Sequence, residues 1–105
     1  MSFSQWWTFR ESLIEYEHNY QAVYEFGDSS ETVIYIGGAH ELQLCLTRHF
    51  NEPADSCIKK YARRYRYEYT ADYLGRELRL YDEHVAAYGK PPACNSSRPQ
   101  ALAGL

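Results

Sequence analysis

The stretch Gln21-Ala22-Val23-Tyr24-Glu25-Phe26, followed by Gly27-Asp28-Ser29-Ser30 and then Thr32-Val33-Ile34-Tyr35-Ile36, decides the fold. Two short runs rich in apolar, β-branched and aromatic residues around a Gly/Asp/Ser cluster read as the strands of a β-hairpin. The tripeptides Ala22-Val23-Tyr24 and Tyr35-Ile36-Gly37 place a tyrosine on each neighbouring strand, at matching places. Both rings can therefore face one shallow surface. Gly37-Gly38 is expected to end the second strand and free the backbone to turn.

Outward from the hairpin, Gln5 to Asn19 mixes Trp6, Trp7, Phe9, Leu13, Ile14 and Tyr16 with charges and holds no Gly or Pro. That predicts a helix packing on one face, from about residue 4 to 19. Ala39 to Phe50 reads as a second helix, stopped by Asn51-Glu52-Pro53. A short helical segment is expected from Ala54 to Ala62, and Tyr65 to Thr70 alternates aromatic with charged residues as a third strand. Ala71 to Tyr88 reads as a longer helix, closed by Gly89 and then Pro91-Pro92. The expected fold class is α+β, a small three-stranded antiparallel sheet with flanking helices in the order α-β-β-α-β-α. One domain is expected over residues 1–95, its core from about residue 21, with 96–105 as a loose tail.

A chain of 105 residues has room for one core and not for two. No apolar run approaches the roughly 20 residues needed to span a bilayer, and no secretory signal is visible, so no membrane partner is expected. Cys45, Cys57 and Cys94 are odd in number and form no CxxC pair, which predicts a reduced, cytoplasmic chain. The net charge of −3 argues mildly against a dedicated nucleic-acid binder. Lys59, Lys60, Arg63, Arg64 and Arg66 nevertheless concentrate positive charge, and such a cluster can contact phosphates or simply form a solvated face.

At 100° per residue, Leu42, Leu46 and Phe50 mark the buried face of the second helix. Cys45 and His49, four apart, lie together on its flank, within reach of both hairpin tyrosines, and Arg48 lies further round toward solvent. On the last helix, Leu74, Leu78, Tyr81 and Val85 form the apolar stripe, with Glu77 close beside it and Glu83 on the solvent side. A carboxylate so near an apolar stripe is costly unless partnered or bound to a metal, which makes Glu77 the functional candidate.

From Gln21 to Asn95 the chain resembles the GIY-YIG nuclease family. The resemblance is carried by the hairpin tyrosines, Gly37, His49, Arg76-Glu77 and Pro92-Ala93-Cys94-Asn95, which occur in the family's order. It implies hydrolysis of nucleic-acid phosphodiesters, DNA or RNA, with one divalent ion, Mg²⁺ or Mn²⁺. By resemblance, Glu77 is the metal ligand, Tyr24 or His49 helps deprotonate the attacking water, and Tyr35 binds or orients the phosphate.

Two positions depart from the family. Ala22-Val23 replaces Gly-Ile, and the family's catalytic arginine falls on Cys45. A thiol cannot neutralise charge developing on a phosphate, although Arg48, one turn on, can substitute by swinging round the helix. Two alternatives therefore stand beside a metal-dependent endonuclease. One is a repurposed fold in which Cys45 acts as nucleophile or sulfur carrier on a small molecule without a metal. The other is an inactive module that binds nucleic acid or protein through its basic residues and Tyr61, Tyr65 and Tyr67.

Overall fold

Asp28 closes the hairpin. Its Oδ1 accepts hydrogen bonds from the amides of Ser30 (2.9 Å) and Thr32 (3.0 Å), while Glu31 takes a left-handed φ of 63°. The strands that this turn joins are β2 (Ala22–Gly27) and β3 (Val33–Ala39) in a computed structural model that describes residues 2–99. The earlier elements are β1 (Trp7–Thr8) and α1 (Glu11–Ile14). After β3 come α2 (Leu42–Phe50), α3 (Cys57–Tyr61), β4 (Arg64–Tyr69) and α4 (Tyr73–Tyr88). Gly89 ends α4 at φ 75°, as the sequence predicts.

The sheet is antiparallel with the order β1-β4-β2-β3. It has four strands, not three, and the element order begins with a strand. The expected helix over Gln5–Asn19 is replaced by β1, a single turn of helix and an extended approach to β2. The reason is tertiary. β4 has a free edge, and residues 4–9 fill it: the Ser4 amide donates to the Tyr67 carbonyl (2.7 Å) and the Phe9 amide to the Arg63 carbonyl (2.9 Å). The Arg66 guanidinium lies over the rings of both Phe3 and Trp6, at 4.6 and 4.4 Å, which fixes the segment against the sheet. Gly37 and Gly38 lie inside β3 and do not end it. Ser96–Pro99 belongs to the described chain, and Arg98 pairs with Asp82 at 2.8 Å. The expected tail beyond residue 99 lies outside the described residues.

Side chains alternate across the sheet. On one face Ala22, Tyr24, Phe26 and Tyr65 pack beneath Leu42 and Leu46 of α2 and Ile14 of α1, all buried. On the other, Val23 and Ile36 are buried on the side of α4, which supplies Tyr81. Glu25 and Glu68 are also buried there, and each is met by an arginine: Arg66 at 2.7 Å and Arg76 at 3.3 Å. Among the described residues no helix is long and apolar enough to cross a membrane.

The expectation of a reduced chain is corrected. Cys57 and Cys94 form a disulfide across 37 positions, leaving Cys45 as the free cysteine. Cys57 opens α3, whose Ser56 cap accepts from the Lys59 amide, and the bond ties this helix to the segment that runs along β3. No local spacing announces such a pairing.

Candidate active site

α2 follows β3 after two residues, and its buried Leu42 and Leu46 clamp it over the tyrosine face of the sheet. That clamp hangs His49 above β2. His49 Nε2 lies 2.8 Å from the Tyr24 hydroxyl, and Nδ1 lies 2.5 Å from Glu52 Oε2. In a neutral ring whose Nδ1–H donates to Glu52, Nε2 is left to accept the Tyr24 O–H. The rings of Phe26 and Tyr35 approach the imidazole edge-on, each at 5.1 Å, and hold its plane. Tyr24 is 3% exposed and its ring lies 6.1 Å from that of Tyr35. The two tyrosines share a face as expected, but in an offset register: Tyr24 stands opposite Gly37, and Tyr35 opposite Phe26.

Burial sets the protonation states. It raises Tyr24 well above the ordinary phenol value, with Tyr35, Cys45 and Glu77 adding to the rise. Burial and then the Glu77 charge raise Tyr35. Burial lowers His49, against the opposing pull of the Glu52 hydrogen bond and charge. At neutral pH the site therefore presents two protonated phenols and a neutral imidazole.

Glu77 approaches from α4, on the far side of the sheet. The glycine pair in β3 makes that approach possible. A Cβ on Gly37 would stand 2.5 Å from Tyr24 Cζ, and one on Gly38 would stand 2.9 Å from Glu77 Oε1. The glycines are needed for space, one toward the tyrosines and the next toward the carboxylate. Along the outer edge of β3, the Cys94 amide donates to the Ile34 carbonyl (2.7 Å). The Asn95 side chain pairs with both backbone groups of Ile36, at 2.9 and 3.0 Å. The next edge amide, Gly38, serves Glu77: burial raises this carboxyl and the Gly38 N–H draws it partly back. Among the described residues no cationic side chain pairs with Glu77.

Cys45 is half-buried beside the tyrosines. Burial pushes its thiol up, Arg48 draws it down and Glu41 pushes it up again. Arg48 is exposed. The five clustered cations do not share one free face. Arg66 is held by Glu25 beneath Phe3 and Trp6, and Lys59 Nζ donates to the Phe50 carbonyl at 2.7 Å over that ring. Arg63 donates to the carbonyls of Ala62 and Lys60, and Arg64 to that of Arg63, while Lys60 is exposed. His84 packs against Tyr88, the rings tilted at 42°, on the wall of a separate cavity of 480 Å³.

Tyr24, Tyr35, Cys45 and His49 thus converge on one face, and Glu77 reaches the same strand from the other. The residue that sequence reasoning missed is Glu52, read only as part of a helix stop. Its signal was present, since it stands three residues after His49, a spacing that brings side chains together.

Glu77 is a half-buried carboxylate with one backbone donor and no cationic partner, which suits a hard divalent ion completing its shell with water. Among the described residues no group of three or more His, Cys, Asp or Glu side chains converges as a ready-made metal cage. Compared with known proteins, the chain matches no protein-family profile, and no curated protein matches it significantly.

Proposed function

We propose that this protein is a divalent-metal-dependent phosphodiesterase acting on nucleic acid, of the GIY-YIG type. The observation that carries the reading is the hydrogen-bonded chain from Tyr24 through His49 to Glu52, beside Tyr35 and across β3 from an unpaired Glu77. Tyr24 is too strongly held in its protonated form to act as a preformed phenolate. Its oxygen can accept a proton from an attacking water only while it passes its own proton to His49 Nε2. Glu52 keeps Nδ1 protonated and stabilises the imidazolium that forms. Tyr35, also protonated, donates to a phosphate oxygen. Glu77 would hold Mg²⁺ or Mn²⁺, which when bound supplies a Lewis acid for the phosphate charge.

Two readings compete less well. Use of Cys45 as a nucleophile or sulfur carrier needs a thiolate, and the burial of Cys45 favours the thiol. An inactive binding module needs free cations, and Arg66 is neutralised by Glu25 while the Lys59 ammonium is turned back onto the Phe50 carbonyl. The Cys57–Cys94 bond weighs against the reduced cytoplasmic setting expected from the cysteine count, because such bonds persist in oxidising compartments.

The test is cleavage of single-stranded, duplex and branched DNA with Mg²⁺ or Mn²⁺. Glu77→Ala is expected to lower the rate by at least about 10²-fold, the scale of losing one transition-state charge contact. Undiminished cleavage in that variant overturns the assignment.

The pH profile follows from His49. Activity needs its imidazole neutral, and burial lowers it, so it stays a base to a lower pH than an ordinary histidine. Cleavage should therefore hold through neutral pH and fall on acidification only below roughly pH 6.5, the ordinary value. A rate that already halves between pH 7 and 8 would contradict the neutral imidazole.

A further inference from the structure

A second pocket of 210 Å³ opens on the sheet face that carries β1 and β4, and it shares no lining residue with the candidate active site. Its walls are Trp7, Leu13, Tyr16 and Tyr67, with the Glu17 carboxylate among them, over a floor formed by the fully buried Tyr65. Trp7 and Tyr65 are cross-strand partners, so their rings share a face, and the rings of Tyr65 and Tyr67 are near-parallel at 22°. The Tyr65 hydroxyl donates to Glu17 Oε2 at 2.5 Å. Burial and then the hydrogen bond to Glu17 keep both phenols protonated, so neither ring adds charge. Among the described residues no Lys, Arg or His pairs with Glu17. The buried Trp7 Nε1 also has no acceptor. Tyr16 is 83% exposed at the rim, where it can close over a ligand without contributing to the core.

Several aromatic walls around one carboxylate without a counter-charge form an environment that attracts a cation. The form of the cation follows from the donor count. Glu17 already accepts from the Tyr65 phenol, and most of the remaining wall is aromatic carbon and a leucine. A primary ammonium would exchange three strong hydrogen bonds to water for at best the few carboxylate and phenol oxygens of this lining, and giving up that hydration is costly. An ammonium whose hydrogens are replaced by methyl groups has none to satisfy and gains from the aromatic contact.

We propose that the pocket bounded by Trp7, Tyr16, Glu17, Tyr65 and Tyr67 is an aromatic cage for a quaternary ammonium group. The chemistry is shared by free choline-like molecules and by a trimethylated lysine side chain. The full-length protein is titrated with choline, with the neutral isostere in which carbon replaces the ammonium nitrogen, and with a short peptide bearing trimethyllysine. The readout is the indole N–H resonance of Trp7.

Choline is expected to saturate at least about tenfold more tightly than the neutral isostere, the equivalent of one desolvated cation–π contact. Glu17→Gln, which keeps an acceptor for Tyr65, should weaken choline about five- to tenfold, and Tyr16→Ala about threefold, in a protein whose melting temperature is unchanged. Saturation by choline alone identifies a small-molecule site; saturation by the peptide alone identifies a protein ligand. Equal binding of choline and its isostere, or no saturable shift with any probe, overturns the proposal.

Discussion

Replacing Cys57 and Cys94 with serine should lower the free energy of unfolding by about 3–4 kcal/mol, the chain-entropy value for a closed loop of this length. The bond spans 37 positions and encloses α3, β4 and α4, so its loss frees that whole loop in the unfolded state. Native contacts suffer as well. Cys94 supplies the amide bonded to Ile34, and the adjacent Asn95 supplies both bonds to Ile36. For a domain of this size the expected shift in melting temperature is about 15 °C or more. Urea unfolding of the oxidised wild type and the double variant checks it. A difference below about 1 kcal/mol would mean that the bond adds little beyond contacts that survive without it.

The second large effect is a gain. Cys45→Arg should raise metal-dependent DNA cleavage by about 10²–10³-fold, because it places a permanent cation where charge develops on the phosphate. The position is suited to this. Cys45 is half-buried and close enough to Tyr24 and Tyr35 for its charge to raise both phenols. An arginine stem can lie along that flank and deliver its head toward the same hydroxyls. Repulsion from Arg48, three positions along the helix, costs only a few tenths of a kcal/mol. The measurement is kcat/KM on the best DNA substrate, with melting temperature as a check on folding. A folded variant with no gain would show that the charge at position 45 is not what limits the reaction.

Much of this architecture was legible in the sequence because its signals are local. The hairpin announced itself through Asp28 and its flanking β-formers, α2 and α4 through their apolar spacing, and β4 through alternation from Tyr65 onward. β1 was not legible. Two residues cannot show a period, and Trp6-Trp7 in a stretch without Gly or Pro looks helical until the edge of β4 is available to pair with it. The disulfide was hidden for the same reason, since only the fold brings Cys57 to Cys94. In the candidate site, Tyr24, Tyr35, His49 and Glu77 were legible as candidates from their positions on strands and helices. Glu52 was passed over because Pro53 made its segment look like punctuation. The basic cluster shows the opposite failure: proximity in sequence suggested one surface, but Glu25 and the Phe50 carbonyl claim two of its members.

The two outer strands of the sheet are finished by segments far away in the chain, and this fixes an order of assembly. β2 and β3 can pair as soon as their turn is made, but β1 waits for Tyr65 and Arg64, and the outer side of β3 waits for Cys94 and Asn95. Until those residues emerge during synthesis, a nascent chain carries a hairpin with both sides open, the state most prone to pairing with another copy. Long-range closure of this kind slows folding. The late arrival of residues 92–95 is therefore a kinetic vulnerability of this topology.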